Sequence, residues 1–231
     1  MMAEAAARGV TSLTRWRMAQ RAGRALLAVG ADIRVIGAER VPRQGPLIAA
    51  GNHLSYVDAL LKPSVIPRPD IVLLVWHEIE RHPFFHFFAN FIGRAIYIAP
   101  TSSAVFAMRQ GVAWLRAGHV VLMSPEGEVS PTSTLTEGKP GVGYLAAATG
   151  APVLPIAMTG QENLFANARR LRRTAVTVEF GEPFVPDKTN LDAAGVAATT
   201  EVIMRRIAAM LPPGYRGVYA GSSSEQSVRD R

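Results

Sequence analysis

Short apolar runs alternate along the chain with longer segments in which apolar residues recur every three or four positions. The short runs are typical of buried strands, and the longer segments are typical of helices that cover one face of a sheet. The predicted strands are Ile33–Ile36, Leu47–Ala50, Ile71–Trp76, Ala95–Ile98, Val120–Ser124, Val153–Ala157 and Val176–Phe180. The predicted helices between and after them are Tyr56–Val65, Phe84–Phe91, Ser103–Ala117, Gly141–Thr149 and Asp192–Leu211.

This alternation predicts an α/β fold with a mostly parallel sheet flanked by helices. At 231 residues the chain is long enough for one such core and short for two. We therefore expect a single domain over residues 31–220. The Ser-rich, polar segment 221–231 is predicted to be a disordered tail.

Residues 1–30 predict an amphipathic N-terminal helix. Arg17, Arg21 and Arg24 share one helical stripe, and apolar side chains lie largely on the opposite side, at Trp16, Ala19, Ala22, Leu26 and Val29. A basic stripe beside a Trp and an apolar face is typical of a helix that lies on a membrane surface, with Trp16 in contact with lipid. Two alternatives are a helix that packs on the core with its arginines in water, and an organelle transit peptide.

The composition narrows the class of partner and of chemistry. The formal net charge of +7 indicates an anionic partner, either nucleic acid or a membrane surface. No basic patch is interleaved with aromatic residues, so a nucleic-acid partner is not expected. The absence of cysteine excludes thiolate nucleophiles and Cys-based metal sites. No uncharged run is long enough to span a bilayer and no signal peptide is evident, which predicts a peripheral protein on the cytoplasmic face of a membrane.

The candidate chemistry begins at Asn52-His53-Leu54-Ser55-Tyr56-Val57-Asp58, which lies between a predicted buried strand and a predicted helix. Open α/β sheets build their sites outside the carboxyl ends of strands. A His oriented by an Asp can take a proton from an alcohol, so His53 and Asp58 are the candidate catalytic pair. Ser55 is predicted to be the helix N-cap, with Asp58 completing a capping box. The alternative is that Asp58 only caps the helix while His53 sits in a turn.

Further motifs follow in a fixed order. Ile96-Tyr97-Ile98 comes after Gly93, Pro125-Glu126-Gly127 follows a predicted strand, Lys139-Pro140-Gly141 precedes a predicted helix, and Val153-Leu154-Pro155-Ile156 comes next. Together with Asn-His-x4-Asp, this order resembles the glycerolipid (lysophospholipid) acyltransferase family, whose best-known members are 1-acylglycerol-3-phosphate acyltransferases. The resemblance runs from about Ile33 to Phe184 and is expected to continue to Tyr219.

The resemblance implies an O-acyltransferase that uses acyl-CoA or acyl carrier protein as co-substrate, a lipid acceptor and no other cofactor. It gives Glu126 a part in positioning the acceptor's glycerol hydroxyl; the alternative is a structural carboxylate tied to a turn. Gly127 permits close backbone approach. Lys139 precedes a helix N-terminus, which suits a phosphate, although an exposed Lys is usually a solvated charge.

The expected mechanism is direct transfer. His53 acts as general base on the acceptor hydroxyl, Asp58 holds the tautomer, and the alkoxide attacks the thioester without an acyl-enzyme. The alternative is an acyl group on Ser55, but this residue lies on the same short segment as His53 and is better used as a cap. Backbone N–H groups at the start of the Tyr56 helix are the expected donors to the oxyanion.

The segment from His82 to Phe91 holds an excess of phenylalanine. Phe84, Phe85, Phe87 and Phe88 are predicted to line an acyl-chain tunnel or face lipid, with core packing as the alternative. The histidines at 77, 82 and 86 lack a recognised ligand spacing, so no metal site is expected.

Two departures from the family pattern bear on the acceptor. Pro100 stands after Ala99 where family members usually have Arg, and Glu128-Val129-Ser130 stands where they often have Thr-Arg-Ser. Losing both arginines removes charge-assisted contacts to a phosphate, for which Arg94 or Lys139 are the candidate substitutes. Otherwise the acceptor is less anionic than lysophosphatidate. The competing hypothesis is a catalytically inactive membrane-surface protein that keeps the fold.

Overall fold

A computed structural model describes residues 13–76, 83, 86, 94–98, 103–187 and 190–221. The described helices are α1 (Leu13–Gly30), α2 (Asp58–Val65), α3 (Ser103–Arg116), α4 (Gly141–Thr149), α5 (Leu164–Ala168) and α6 (Ala193–Met210). The strands are β1 (Ala31–Ile36), β2 (Leu47–Gly51), β3 (Ile71–Trp76), β4 (Arg94–Ile98), β5 (Val120–Met123), β6 (Val153–Thr159) and β7 (Thr174–Phe180). Each predicted strand is present, within two residues of its predicted bounds. The predicted helix Phe84–Phe91 and the predicted disordered tail fall outside the described residues, apart from single positions.

The seven strands form one sheet in the order β1-β7-β6-β2-β5-β3-β4. Every neighbouring pair is parallel except β6 and β7, which are antiparallel. The predicted α/β fold with a mostly parallel sheet is therefore confirmed. Strands β2 and β5 are direct neighbours, with Ala50 opposite Met123. The loops that follow these two strands consequently emerge side by side at one edge of the sheet.

Helices cover both faces of this sheet, and each face has its own apolar core. Alternate residues of β2 point to opposite faces, so Ile48 belongs to one core and Leu47 to the other. The core on one face includes residues of α3, α4 and α6 such as Leu115, Leu145 and Ile207. The core on the other includes Leu27 of α1 and Leu61 of α2. The central strand β2 is buried along its whole length, which is why it reads as an uninterrupted apolar run.

Helix α1 packs on the protein with only part of its predicted apolar side. Trp16 and Ala19 are buried, at 6% and 0% exposure, whereas Leu26 and Val29 are exposed. The prediction that Trp16 contacts lipid is therefore wrong, because its ring is enclosed by the fold. Arg24 donates to the backbone oxygen of Ser64 at 2.9 Å and ties α1 to α2. Among the described residues, the helices are too short or too polar to cross a bilayer.

Candidate active site

The backbone after β2 is fixed by Asn52. This side chain is fully buried, donates through Nδ2 to the oxygen of Met158 at 2.9 Å and accepts from the N–H of Met158 at 2.8 Å. The amide thus replaces a missing rung between β2 and β6 where β2 ends. Its neighbour His53 leaves the sheet at a defined point, and this is the physical reason for an Asn before the His.

His53 and Asp58 are brought together as predicted. Nδ1 of His53 lies 2.9 Å from Oδ2 of Asp58. The same oxygen accepts the backbone N–H groups of Leu54 at 2.8 Å and Ser55 at 3.1 Å, and Asp58 is 1% exposed. A buried carboxylate with these donors stays in one orientation, so it holds the imidazole with Nδ1 occupied. The other ring nitrogen, Nε2, remains for a substrate, because His53 lines a cavity.

The capping prediction at Ser55 is confirmed in part: Asp58 Oδ2 accepts the N–H of Ser55 at 3.1 Å, and Ser55 Oγ accepts the N–H of Val57 at 3.4 Å. Helix α2 begins at Asp58 rather than at Tyr56, and its N-cap residue, Val57, makes no side-chain cap. The N–H groups of Asp58, Ala59 and Leu60 instead donate to the three preceding backbone carbonyls at 3.0, 3.3 and 2.9 Å. This tight turn forms because Asp58 folds back onto the loop. Among the expected donors to an oxyanion, the N–H groups of Val57 and Asp58 are therefore already engaged, with Ser55 Oγ and the Ser55 carbonyl.

Glu126 is placed beside His53 by the neighbouring ends of β2 and β5. Oε1 accepts the backbone N–H of His53 at 2.7 Å, and Oε2 accepts the N–H and hydroxyl of Thr136 at 2.8 and 3.0 Å. The side chain is 1% exposed and is not part of the cavity wall. Burial raises the pKa of Glu126, and these hydrogen bonds act in the opposite direction. The geometry favours the structural alternative over a contact with the acceptor hydroxyl.

Gly127 and Lys139 lie against each other at the cavity. Gly127 has a φ of 76°, and a Cβ there would come within 2.8 Å of Lys139 Cδ. The Lys139 ammonium forms an ion pair with Glu128 at 3.1 Å, and both side chains are largely exposed. Glu128 therefore partly neutralises the charge of Lys139, which the sequence analysis predicted as a phosphate contact.

A cavity of about 730 Å³ opens beside His53. This volume is within the range of about 300–1,000 Å³ for small-molecule sites. Its polar lining residues include His53, Lys62 and Ser124. The rest is mainly apolar and comes from β3, β5, β4 and α3, through Leu73, Leu74, Val75, Leu122, Met123, Ile98 and Met108. A mainly apolar wall with a few polar groups suits a ligand that has an apolar chain and a polar group.

The other predicted contacts with substrate fall on side chains outside the described part of the structure. Phe84, Phe85, Phe87 and Phe88 lie outside the described residues, as do His77 and His82. Arg94 begins β4, but only its backbone is described. The apolar wall that is described comes instead from strand and helix residues that the sequence indicated only as core.

Sequence reasoning missed Lys62 and Ser124. Lys62 is 4% exposed, and its ammonium donates to the backbone oxygen of Gly51 at 3.1 Å and to Ser124 Oγ at 2.6 Å. Burial lowers the pKa of Lys62, while the charges of Asp58 and Glu126 raise it. A signal was available in the sequence: Lys62 follows Asp58 by four residues, which places both on one side of α2.

Comparison with known proteins identifies the family of this chain. A sequence model of the family named Acyltransferase matches residues 32–159, which include every motif described above. A 1-acyl-sn-glycerol-3-phosphate acyltransferase from Borreliella burgdorferi (strain ATCC 35210 / DSM 4680 / CIP 102532 / B31) is 28% identical over 142 residues. That alignment covers 61% of this chain and 56% of the relative, so the chain spans little more than half the length of this protein.

A solved structure has the same fold. The crystal structure of the 1-acyl-sn-glycerophosphate (LPA) acyltransferase PlsC from Thermotoga maritima superposes with a TM-score of 0.62 at 22% identity. The superposition covers 84% of this chain and 79% of the other. Because the family match extends over more than half of the chain and includes its site motifs, the chain belongs to the acyltransferase family.

Proposed function

We propose that this protein transfers a fatty acyl group from an acyl thioester to a hydroxyl group of a lysophospholipid or another glycerolipid acceptor. The observation that carries the proposal is the 2.9 Å contact between His53 and a buried Asp58, both of which line a cavity with a mainly apolar wall. Family membership supports the reaction class, and the relative from Borreliella burgdorferi is named for the same type of reaction. Acyl-CoA and acyl carrier protein are the two candidate donors.

In the proposed mechanism, Nε2 of His53 takes the proton of the acceptor hydroxyl while Asp58 stabilises the imidazolium that forms. The acceptor oxygen attacks the thioester carbonyl carbon and gives a tetrahedral oxyanion. Collapse of this intermediate breaks the C–S bond, and the departing thiolate recovers the proton from His53. The ester and the free thiol are the products, and no protein nucleophile takes part.

The acceptor is proposed to be less anionic than lysophosphatidate. Glu128 lines the cavity and pairs with Lys139 at 3.1 Å, so a phosphate there would meet a carboxylate as well as an ammonium. A zwitterionic lysolipid or a hydroxylated neutral lipid avoids this repulsion.

The site is also proposed to work at a membrane surface. Exposed Met18, Leu26 and Val29 on α1 lie among exposed arginines at 17 and 21, and Val105 at the cavity is exposed as well. Apolar and cationic groups on one helix suit the surface of an anionic membrane. Co-sedimentation with vesicles of mixed zwitterionic and anionic lipid, at low and high salt, tests this part of the proposal.

The reaction is tested with the full chain, acyl-CoA or acyl carrier protein, and a panel of lysolipids and hydroxylated lipids, with products identified by mass spectrometry. We expect an ester product from the wild type. His53→Ala should lower its rate of formation by about 100- to 10,000-fold, the usual contribution of a general base. His119→Gln is the matched control, because His119 lies at the amino end of β5 and outside the cavity wall.

Two results would contradict the proposal. Unchanged transfer by His53→Ala, with the variant folded as judged by circular dichroism, would rule out the mechanism. No ester from any acceptor in the panel would favour the alternative of an inactive membrane-surface protein.

A further inference from the structure

The pair formed by Lys62 and Ser124 has no part in the mechanism above, although both side chains line the cavity beside His53. Lys62 belongs to α2, and Ser124 follows the last residue of β5. Their contact, at 2.6 Å between Nζ and Oγ, crosses 62 positions of sequence. The ammonium also donates to the carbonyl oxygen of Gly51, the last residue of β2, at 3.1 Å.

The direction of these hydrogen bonds follows from the charge of Lys62. An ammonium group has three N–H donors and no acceptor, so it can only donate to Ser124. The serine oxygen accepts, and its own hydrogen must therefore serve a different acceptor. Within the described part of the chain, no group accepts that hydrogen. Because Ser124 is only partly buried and lies in the cavity wall, its O–H is available to a bound substrate.

We infer that Ser124 donates a hydrogen bond to the oxyanion of the acyl-transfer intermediate and that Lys62 is the positioning residue that imposes this direction. The inference rests on the proposed function and adds a catalytic residue to it. It also supplies a donor that α2 does not, since the N–H groups at the start of that helix already donate to backbone carbonyls. Ser124 forms no covalent bond: its O–H hydrogen stays on oxygen throughout, while His53 alone moves a proton.

Burial and the neighbouring carboxylates act on the Lys62 pKa in opposite directions. Asp58 on the same helix and Glu126 after β5 are both buried carboxylates, and both favour the charged form. His53, after β2, shares the cavity wall, as do Lys139 and Tyr144. Burial lowers the Lys62 pKa, so the ammonium is lost at a less alkaline pH than an exposed lysine would need. Above that pH, the neutral amine can accept from Ser124 and turn its hydrogen away from the cavity.

The deciding experiment compares Ser124→Ala and Ser124→Thr with the wild type. The alanine variant lacks the donor, and we expect kcat to fall on the order of 100-fold, as when a single oxyanion donor is removed. KM should change little, because the hydrogen bond strengthens in the transition state. The threonine variant keeps the hydroxyl and should keep most of the activity. In the wild type, kcat should fall at alkaline pH because Lys62 loses its proton. The alanine variant has no hydroxyl at position 124, so it should not show this fall.

A double-mutant cycle tests the role of Lys62. Lys62→Met removes the donor that fixes Ser124 and should lower kcat by at least as much as Ser124→Ala. If Lys62 acts through Ser124, the double variant should lose much less than the product of the two single effects. Ser64→Ala is the matched control: Ser64 is a buried polar residue of the same helix that lies outside the cavity wall. If Lys62→Met does not fold, the Ser124 variants still decide the question.

Several outcomes would overturn the inference. Wild-type kcat in folded Ser124→Ala would do so while leaving the proposed function intact, provided that His53→Ala is inactive. Multiplicative effects in the cycle would remove the positioning role of Lys62. An acyl group on Ser124 in the intact mass spectrum would show that Ser124 acts as a nucleophile and not as a hydrogen-bond donor. A wild-type protein that transfers no acyl group would overturn the inference together with the proposed function.

Discussion

Two buried cations, Arg68 and Lys62, hold the opposite ends of the neighbouring strands β2 and β5. Arg68 lies at the amino ends and donates to the carbonyl oxygens of Pro42 at 2.9 Å, Gly45 at 2.9 Å and Gly118 at 3.3 Å. It is 2% exposed and also bonds through Nε and Nη2 to the carboxylate of Asp70. Lys62 lies at the carboxyl ends, where it donates to the Gly51 carbonyl and to Ser124 Oγ and lines the cavity.

The difference lies in what each cation leaves unsatisfied. The guanidinium of Arg68 donates to three carbonyl oxygens and a carboxylate that support the fold, and it lies outside the cavity wall. The ammonium of Lys62 fixes a hydroxyl whose hydrogen still needs an acceptor. In this sheet, the loops at the amino ends of β2 and β5 are therefore held together by a cation. The loops at the carboxyl ends are also held by a cation, but there a hydroxyl group remains available to a ligand. This agrees with the general placement of sites at the carboxyl ends of strands.

The largest expected effect is a loss of stability when the contacts of Arg68 at the amino ends of β2 and β5 are removed. Arg68→Met removes the partner of Asp70 and three carbonyl contacts, and we expect the free energy of unfolding to fall by about 3–5 kcal/mol, as for other broken buried pairs. Transfer activity per folded molecule should stay near the wild-type value, since Arg68 lies outside the cavity wall. Urea unfolding followed by circular dichroism measures the first, and initial rates measure the second.

The control for this change is Arg205→Met. Arg205 is half-exposed and pairs with Glu201 one helical turn away, at 2.7 Å. Such a pair contributes below about 0.5 kcal/mol. An Arg68 variant as stable as this control would show that the amino ends of the strands do not depend on the cation.

A smaller effect is expected at the carboxyl end from Glu126→Gln. Both carboxylate oxygens accept hydrogen bonds, so an amide must turn its NH2 toward the N–H of His53 or toward Thr136. We expect unfolding to become easier by about 1–3 kcal/mol, the cost of an unsatisfied buried group. Transfer should fall because the backbone of His53 loses its support.

Glu128→Gln serves as the matched change, because Glu128 is 70% exposed and its stability effect should lie within about 0.5 kcal/mol. The informative contrary result is a Glu126 variant with unchanged stability and a raised KM for the acceptor alone. That combination would return Glu126 to the role of binding the acceptor hydroxyl.

The smallest effects compare one glycine from each end. Gly45 has a φ of 85°, and an added Cβ there would meet no other atom within 4 Å. Gly127 has a φ of 76°, and an added Cβ there would meet the side chain of Lys139. Replacing either by Ala should cost about 1–2 kcal/mol of stability from the left-handed backbone. Only Gly127→Ala should also displace Lys139 and change KM for anionic acceptors. Equal kinetic effects from both variants would show that Lys139 has no part in binding the acceptor.

The sequence by itself determined the strands, most of the helices and the contact between His53 and Asp58. These features depend on neighbours within a few positions: an apolar run of four or five residues, or a carboxylate five residues after a His in a tight turn. Local spacing leaves few conformations for such segments, so the pattern of residue types is sufficient to predict them.

The tertiary structure decided the features that depend on strand order and burial. The neighbouring ends of β2 and β5 join Lys62 to Ser124 and turn Glu126 toward the backbone of His53 rather than toward the cavity. Packing of α1 on α2 encloses Trp16 and leaves Val29 in solvent, although both were on the apolar side of the helix. The sequence pattern identifies apolar and charged residues, but only the three-dimensional arrangement determines which partner each one meets and which face of a helix is covered.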